Sequence, residues 1–321
     1  MRFVIVGAGA VGGTVAVRLA ASGHDVAVIA RGQHLAAIQA HGLELRDPAG
    51  SQIVGMPAVA GPKEIDWQPN DVALLTVKSH DTAGLLRQLA AAANIDVPVV
   101  CVQNGVTNES EAMRYVEHVY GVVVICPTVH LRPGVVVAHS HPVPGILDVG
   151  RFPRGVDATA KAISTAFRHA GFESRPIEDV ARWKWAKLIT NLGNAVEAVC
   201  GAPARSGPLG AIVNAEGRAV LAAAGIEHAS DDEDRDRRGD ILSLHDVDGE
   251  PRAGGSTWQS LQRGSPTETD FINGEIARLA RLHGVPAPLN ELLQRLIRQL
   301  EATGSAPGAL AEDEVLSILE R

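Results

Sequence analysis

The segment WKWAKLITNLGNAV, residues 183–196, combines two lysines and two asparagines with an otherwise apolar, helix-compatible pattern. On a helix that advances about 100° per residue, Asn191 lies about 40° from Lys187, and Asn194 lies about 20° from Lys187 on its other side. A partly buried lysine can protonate an oxygen that gains negative charge, and neighbouring amides can orient the molecule that carries this oxygen. These three residues therefore predict one polar stripe that serves proton transfer and ligand binding.

The second lysine of this helix, Lys184, lies about 60° from Lys187 and about 100° from Asn191. We therefore expect Lys184 at the edge of the stripe, toward solvent, and take Lys187 as the candidate proton donor. The alternative is that the stripe is only the exposed face of an amphipathic helix. Against that alternative, the face carries asparagine and a single lysine rather than mixed charges.

A glycine pattern near the start of the chain, GAGAVG at residues 7–12, has the form G-x-G-x-x-G. It follows an apolar strand-like segment, opens a helix-like segment and begins a βαβ unit, which is the context of a dinucleotide site. Gly7 allows a tight turn, Gly9 lets the backbone approach a pyrophosphate, and Gly12 allows close packing of helix on strand. The N–H groups at the start of the helix attract the anion. The predicted cofactor-binding residues here are Gly7, Ala8, Gly9, Ala10, Val11 and Gly12.

The end of the second predicted strand bears on the choice of dinucleotide. Sites specific for NAD usually carry Asp or Glu there, to hold the ribose 2′-hydroxyl. This chain has Ala30, Arg31 and Gly32 instead. No carboxylate at this point repels a 2′-phosphate, and the guanidinium of Arg31 can clamp one. We therefore predict NADPH as the cofactor; the alternative is that Arg31 is merely solvated.

Two further polar residues follow strand-like segments: Lys78 comes after residues 71–77, and Asn104 comes after residues 98–103. Ligands of open α/β sheets bind outside the carboxyl ends of the strands. Lys78 is therefore a candidate for contact with a phosphate or ribose, and Asn104 for contact with the nicotinamide ribose or a substrate oxygen. Taken singly, each could equally be a surface or turn residue.

The hydrophobic pattern changes along the chain. It predicts an α/β protein with an N-terminal Rossmann-type parallel sheet domain, residues 1–178, and a C-terminal all-helical domain, residues 179–321. We expect residues 121–129, 134–140 and 145–152 to continue the sheet, residues 172–179 to be its last strand, and helices at 180–200, 208–224, 256–284 and 288–301. We assign the charged, glycine-rich segment 230–255 to the helical domain as a solvated loop or mobile insertion. The tail after Thr303 forms a linker and one short helix.

Composition excludes several classes of function. The chain of 321 residues has 29 Lys and Arg against 37 Asp and Glu, and this acidic balance argues against nonspecific nucleic-acid binding. Cys101, Cys126 and Cys200 are scattered without a C-x-x-C pair, which predicts a reduced, cytoplasmic protein. We find no apolar run of 18 residues, no signal peptide and no histidine or cysteine spacing of a metal site. We therefore expect neither a membrane nor a metal as partner.

Several of these motifs together resemble the ketopantoate reductase (2-dehydropantoate 2-reductase) family, and the resemblance covers nearly the whole chain. The residues that carry it are GAGAVG at 7–12, Arg31, TVKSHDT at 76–82, QNG at 103–105, WAKLITN at 185–191 and STWQSLQRGSPTETDFINGEI at 256–276. The resemblance implies a Rossmann domain that binds NADPH and a helical domain that closes over the cleft. It also implies reduction of a 2-oxo acid in pantothenate biosynthesis, in the cytoplasm, with a homodimer as a family-level expectation.

The same resemblance implies roles for individual residues. The lysine matching Lys187 is the general acid, and Glu268 is both a catalytic and a cofactor-binding residue. Asn104, Asn191 and Ser256, with Asn194 beside them, orient the substrate and the cofactor. Taken without the family, Ser256 could be only a helix N-cap, and Glu268 only a carboxylate favoured at a helix N-terminus, in a capping arrangement with Ser265.

The chain departs from the family pattern at one position of this set. The family has a second asparagine eight residues after the lysine, where it helps to hold a substrate hydroxyl, but this chain has Ala195 there and Asn194 one residue earlier. A shift of one residue turns a side chain by about 100° on a regular helix. Either the helix is distorted near Gly193, or the substrate lacks that hydroxyl. Ala195 favours one alternative, a reductase of a different branched or larger 2-oxo acid on the same fold. A second alternative, which does not depend on Ala195, is a noncatalytic NADP-binding regulator.

Overall fold

A computed structural model describes residues 1–92 and 97–319 of the chain. They form two compact units: Met1–Lys184 with Asp231–Arg252, and Trp185–Ser230 with Ala253–Arg321. The first contains the strands and the second is helical, so the predicted α/β class is confirmed. The division between the units falls after Lys184 instead of at the predicted break 178/179, and residues 231–252 of the charged segment belong to the sheet unit rather than to the helical unit.

The strands are β1 (Arg2–Val6), β2 (Asp25–Ile29), β3 (Leu43–Asp47), β4 (Gly50–Val54), β5 (Ala58–Val59), β6 (Asp71–Leu75), β7 (Val99–Cys101), β8 (Val119–Ile125), β9 (Thr128–Arg132), β10 (Val135–Ala138) and β11 (Ile146–Arg151). The helices are α1 (Ala10–Ala21), α2 (Gly32–His41), α3 (Ser79–Ala92), α4 (Asn108–Ala112), α5 (Ala158–His169), α6 (Val180–Cys200), α7 (Pro208–Ala223), α8 (Asp231–Arg238), α9 (Ser256–Gln262), α10 (Asn273–His283), α11 (Pro288–Thr303) and α12 (Glu312–Leu319). Short 3-10 turns span Pro62–Glu64, Ala202–Ser206 and Thr269–Phe271.

The main sheet has seven strands in the order β11-β8-β7-β6-β1-β2-β5. Its pairs are parallel except for β11 with β8. The strands β6, β7 and β8 are buried throughout, because two apolar clusters pack within this unit, one around Phe3 and the other around Val4. A sheet covered on both faces needs continuous apolar strands, which explains the runs in the sequence. The parallel register also brings the carboxyl ends of β1, β2, β6 and β7 to one edge of the sheet.

A second sheet of four strands, in the order β4-β3-β10-β9, was not predicted. Residues 128–132 and 135–138 pair in this sheet, so the prediction that 121–129 and 134–140 continue the main sheet is correct only for β8. The chain leaves the main sheet at Cys126-Pro127, where proline has no N–H to donate to a ladder. Residues 172–179 are not a strand either: they make only isolated bridges, through Glu173 and Pro176.

Helix α6 runs from Val180 to Cys200, and its residues from Trp185 onward belong to the helical unit. Helix α7 packs closely on it, since a Cβ on Gly217 would lie 2.6 Å from Cδ1 of Leu192. Buried amides connect the other helices: Asn273 donates to Oδ1 of Asn290 at 3.1 Å and to the carbonyl of Leu192 at 3.3 Å. The single helix predicted at 256–284 is interrupted, because Gly264, with φ +59°, and the proline that follows end α9.

The charged segment was predicted to be a solvated loop, and this is wrong for its first part. Residues 231–238 form α8, and Arg237 of α8 is only 7% exposed. Its guanidinium makes two hydrogen bonds of 2.6 Å to the carboxylate of Asp148 on β11, with Glu173 3.4 Å away. A bidentate pair of this kind fixes the orientation of both side chains. The segment is therefore docked on the sheet unit by a buried ion pair.

None of the helices in the described ranges is both long enough and apolar enough to cross a membrane.

Candidate active site

The glycine-rich loop lies between β1 and α1 and is tightly packed on one side. Gly7 has φ +108°, and a Cβ there would lie 2.6 Å from Cγ1 of Val77. A Cβ on Gly12 would collide with the carbonyl oxygen of Gly7 and with the side chain of Thr76. The hydroxyl of Thr76 donates to that same carbonyl at 2.6 Å. Gly7 and Gly12 therefore have no room for side chains, which explains two of the three glycines.

Gly9 is different, because no atom lies within 4 Å of the position that a Cβ would occupy. Gly9 is the N-cap of α1, no side chain caps the helix, and no acidic residue lies in its first turn. The first N–H groups of a helix need acceptors, and the helix dipole favours an anion there. The open backbone and the uncapped helix start fit a dinucleotide pyrophosphate over residues 7–12.

A residue that the sequence did not indicate, His34 on α2, contacts this loop. Its Nε2 lies 2.6 Å from the carbonyl oxygen of Ala8, and its Nδ1 accepts from the N–H of Gly134 at 2.9 Å. The imidazole is therefore the neutral tautomer that carries its proton on Nε2 and donates it to Ala8. Burial lowers the pKa of His34, and its hydrogen bond to Ala8 partly opposes this shift. No local sequence signal predicts the contact, since the partners lie 26 and 100 residues away.

Arg31 is exposed at the carboxyl end of β2, where its extended backbone precedes the first turn of α2. Lys78 and Asn104 are half-buried and follow β6 and β7. Because β6 pairs in parallel with β1 and β7 pairs in parallel with β6, both residues lie at the same edge of the sheet as the glycine loop. Arg31, Lys78 and Asn104 thus each follow a strand of the main sheet at its carboxyl edge.

Gln103 ties the segments that carry Lys78 and Asn104 together. Its side-chain amide donates to the carbonyl of Val77 at 2.8 Å and to Oγ1 of Thr82 at 2.8 Å. Nδ2 of Asn108 donates to the carbonyl of Asn104 at 2.9 Å. The main chain just before Lys78 and the main chain at Asn104 are therefore both held by hydrogen bonds from buried polar side chains.

Lys184 is not at a solvent edge, and the prediction that it lies there is wrong. Its side chain is 3% exposed, its ammonium lies 2.5 Å from Oε1 of Glu109, and it donates to the carbonyl of Gln103 at 2.9 Å. The angular position of a residue on its helix does not show what packs on each face, and here the sheet unit covers the face of Lys184. The sequence also gave no indication of Glu109, which is completely buried.

The stripe on α6 is largely buried. Asn191 is 4% exposed and Asn194 is 5% exposed, so the alternative of a solvated amphipathic face is wrong. Lys187 is half-buried one turn before Asn191. The helix continues regularly through Gly193, which excludes the local distortion that would move Asn194 into the place of Ala195. Ala195 is itself 1% exposed.

Asn194 instead points to a different set of partners. Its Nδ2 lies 3.4 Å from Oγ of Ser256, and its Oδ1 accepts from Nη1 of Arg205 at 2.7 Å. The same nitrogen of Arg205 lies 3.0 Å from Oε2 of Glu197, while Oε1 of Glu197 accepts from the N–H of Gly255 at 3.1 Å. Arg205 and Glu197 were not predicted, since an Arg and a Glu on different helical segments carry no spacing signal.

The noncatalytic alternatives for Ser256 and Glu268 do not fit the helix boundaries. The N-cap of α9 is Gly255, and Ser256 is the first helical residue, so Ser256 is not a cap. Glu268 is the N-cap residue of the 3-10 turn at 269–271 but makes no side-chain capping hydrogen bond there, and its backbone carbonyl accepts from the N–H of Phe271 at 2.9 Å. Helix α10 begins later, at Asn273, so Glu268 lies outside its first turn.

Neither metal binding nor a nucleophilic cysteine is supported by the residues that the structure describes. In the described part of the chain, no group of three or more His, Cys, Asp or Glu side chains could hold a metal ion. Burial raises the pKa of Cys126 to about 12 and that of Cys200 to about 11. Burial also raises the pKa of Cys101 well above its usual range. The thiols therefore stay protonated near neutral pH and are poor nucleophiles.

Comparison with known families gives two matches, which together cover most of the chain. The model "Ketopantoate reductase PanE/ApbA" matches residues 3–154, and the model "Ketopantoate reductase PanE/ApbA C terminal" matches residues 179–301. A 2-dehydropantoate 2-reductase of Pyrococcus horikoshii is 31% identical over 314 residues, which are 95% of this chain and 99% of that protein. The Archaeoglobus fulgidus protein of the same name is 30% identical, over 94% of this chain and 98% of its own length.

Solved structures agree in fold. A PanE/ApbA family ketopantoate reductase from Ralstonia eutropha superposes with a TM-score of 0.79 at 30% identity, covering 95% of this chain and 99% of its own. A D-mandelate dehydrogenase, solved with NADH and anilino(oxo)acetate, has the same TM-score of 0.79 at 22% identity and covers 95% of this chain and 100% of its own. At that identity the second likeness shows the fold alone.

Proposed function

This chain belongs to the ketopantoate reductase family PanE/ApbA, and from that premise we propose that it is an NADPH-dependent reductase of a 2-oxo acid of the 2-dehydropantoate type. The observation that carries the proposal is the match of both family models to one chain, with relatives about 30% identical over nearly its full length. The open glycine loop of the sheet unit and the buried amides of α6 in the helical unit each offer groups of the kind that this reaction needs.

For the cofactor, we propose that residues 7–12 hold the pyrophosphate and that Arg31 clamps the 2′-phosphate of NADPH. Support comes from the uncapped start of α1, the open backbone at Gly9 and the exposed guanidinium at the end of β2. No carboxylate occupies residues 30–32, where an NAD-specific site would hold the ribose hydroxyls. Lys78 and Asn104 complete the cofactor side. When bound, NADPH supplies the hydride for the C2 carbonyl.

For the reaction, we propose that Lys187 is the general acid. The carbonyl oxygen of a 2-oxo acid gains negative charge as it is reduced, and a half-buried ammonium can stabilise this charge and donate the proton. We assign to Glu268 a role in orienting the substrate and the cofactor ribose. Asn104, Asn191 and Ser256 supply uncharged donors for the substrate carboxylate and carbonyl.

A second candidate function is reduction of a different 2-oxo acid, one without the hydroxyl of 2-dehydropantoate. The specific observation is at the end of the α6 stripe, where Ala195 stands in the family's asparagine position and Asn194 is engaged with Ser256 and Arg205. A noncatalytic NADP-binding regulator is a weaker alternative, because such a protein has no need for Lys187 and Glu268 together.

The test is NADPH oxidation, followed by absorbance, with 2-dehydropantoate and a panel of branched, aromatic and larger 2-oxo acids. We expect turnover of at least one of them, with NADPH preferred to NADH. Turnover of 2-dehydropantoate with the highest kcat/KM supports the first function, and a higher value for a 2-oxo acid that lacks the hydroxyl supports the second. Binding of NADPH without turnover of any panel member would overturn both.

A further inference from the structure

We propose that Lys184 is a positioning residue, which fixes Asn104 through the main-chain carbonyl of Gln103, and that the buried carboxylate of Glu109 holds Lys184 in place. This inference rests on the proposed function, because Asn104 is one of the residues assigned above to substrate or cofactor binding. Lys184 itself does not contact a reacting atom in this account.

The contacts of Lys184 are short and enclosed. Its ammonium lies 2.5 Å from Oε1 of Glu109, donates to the carbonyl of Gln103 at 2.9 Å and lies 3.5 Å from the carbonyl of Val122. Lys184 is 3% exposed and Glu109 is 0% exposed. The three acceptors surround the ammonium, so its position is determined by the sheet unit and not by solvent.

The carbonyl of Gln103 belongs to the peptide group whose nitrogen is that of Asn104. Because the peptide group is planar, a fixed carbonyl also fixes the nitrogen and the direction in which Asn104 begins. The next carbonyl, that of Asn104, accepts from Nδ2 of Asn108 at 2.9 Å. Gly105 follows with φ +81°, so the chain turns away immediately. Asn104 is thus held between two anchored peptide groups, and Lys184 anchors the first.

The surroundings are built to admit this ion pair. A Cβ on Gly121 of β8 would lie 3.2 Å from Oε1 of Glu109 and 3.4 Å from Cδ of Lys184, so the glycine leaves room for both side chains. Burial raises the pKa of Glu109, and the ammonium of Lys184 opposes this shift. A buried ion pair is a poor source of stability compared with an apolar pair of the same volume. Its direct hydrogen bond to the loop that carries Asn104 supplies a functional reason for it.

The sheet unit contains a second buried ion pair, Asp148 with Arg237, that serves as a matched control. It is enclosed to a similar degree, with side chains 5% and 6% exposed, and its further contacts are to the N–H of Arg175 and to Glu173 rather than to residues 103–105. We therefore compare two double variants, Lys184→Met with Glu109→Gln and Asp148→Asn with Arg237→Met. Each removes both charges of one pair, so neither leaves a buried charge alone, and circular dichroism and thermal unfolding establish that both fold.

We expect the Lys184/Glu109 variant to lose about 10- to 100-fold in kcat/KM on the 2-oxo acid that the wild type reduces best, as a displaced binding group does. The Asp148/Arg237 variant should stay within about twofold of wild type, whatever its Tm, since it leaves the transition state untouched. Equal losses of kcat/KM in the two double variants would show that both ion pairs act only through the stability of the fold, and this would overturn the proposal.

A cycle with Asn104→Ala tests whether Lys184 acts through Asn104. Residues that act as one unit are non-additive, so Lys184→Met with Glu109→Gln should cost little further kcat/KM once Asn104 is alanine. The same fold-loss in both backgrounds would contradict the proposal. If the wild type reduces no 2-oxo acid, the proposed function fails separately, and a crystal structure of the Lys184/Glu109 variant decides: Asn104 displaced by more than about 0.5 Å supports positioning, and an unmoved Asn104 overturns it.

Discussion

Nδ2 of Asn194 on α6 lies 3.4 Å from Oγ of Ser256 on α9, two residues 62 positions apart in the chain. Oδ1 of the same amide accepts from Arg205 at 2.7 Å, so the orientation of the amide is fixed and its nitrogen faces the serine. In a family where an asparagine is expected one residue later, this contact shows what the shifted side chain does. The side chain of Asn194 contacts the hydroxyl of Ser256 and does not point in the direction of Ala195.

Loss of the contact between Asn194 and Ser256 should raise KM more than it lowers kcat. We expect Asn194→Ala to raise KM by about 3- to 10-fold, the range of one neutral hydrogen bond, with a smaller change in kcat. Steady-state kinetics at saturating NADPH measure the split. Gln262→Ala, an exposed residue at the end of α9, is the control and should leave both constants unchanged. A fall in kcat with constant KM would place Asn194 in the chemical step instead.

Arg31 should discriminate between the two nicotinamide dinucleotides. Because its guanidinium is assigned to the 2′-phosphate, Arg31→Ala should weaken NADPH by at least about 10-fold and leave NADH nearly unchanged. Dissociation constants from fluorescence titration measure this without any turnover. Arg87→Ala, which removes an exposed arginine of α3, is the control. Equal weakening of the two dinucleotides would remove the argument for NADPH.

The pH dependence of stability should have a definite sign. Burial lowers the pKa values of His24, His34 and His139 below the ordinary value of about 6.5. The unfolded chain therefore binds more protons than the native protein as pH falls below about 6.5, and stability is lost in that window. Above it, this contribution is fully present.

Urea unfolding at pH 7.5 and 5.5 checks the sign. The midpoint should be lower at pH 5.5, and His34→Gln should reduce the difference between the two pH values, because a non-titrating side chain then faces Ala8. His41→Gln, at an exposed histidine of the same helix, should leave the difference as in wild type. The same pH difference in His34→Gln as in wild type would contradict the lowered pKa of His34.

The ion pair between Arg237 of α8 and Asp148 should contribute to the free energy of unfolding. Arg237→Met leaves the buried carboxylate of Asp148 without its partner, which should cost about 3–5 kcal/mol of unfolding free energy. Adding Asp148→Asn removes the uncompensated charge and should recover part of the loss. Arg235→Met, at an exposed arginine of the same helix that pairs with the exposed Asp232, should cost less than about 1 kcal/mol. Equal losses of unfolding free energy in Arg235→Met and Arg237→Met would mean that α8 is not docked in solution.

Local features of the site were predictable from sequence, and contacts between distant segments were not. Gly7 and Gly12 are tightly packed in the turn between β1 and α1, and the glycine spacing between a strand and a helix predicted such a turn. Lys184 was misplaced because a helical projection describes angles within one helix and not the Glu109 carboxylate that packs on it. Both are charged residues that sequence reasoning assigns to solvent unless a partner is known.

The same limit explains the errors in the fold. The segment around Arg237 has the composition of a solvated loop, and its partner Asp148 lies 89 residues away, so burial could not be inferred. Strand β4, GSQIV, is almost entirely exposed, and it has neither the alternation nor the apolar run that indicates a strand. Its pairing with β3 is what makes it a strand. The buried strands β6, β7 and β8, in contrast, are continuous and mostly apolar runs, and such runs are recognisable in the sequence.

The central claim is that Lys187 donates the proton to the reduced carbonyl, and Lys187→Ala tests it most directly. With the 2-oxo acid that the wild type reduces best, the account predicts a fall in kcat of about 100-fold or more and an NADPH dissociation constant within about twofold of wild type. Lys161→Ala, at an exposed lysine of α5, should match wild type in both measurements. Turnover by Lys187→Ala at the wild-type rate would contradict the account.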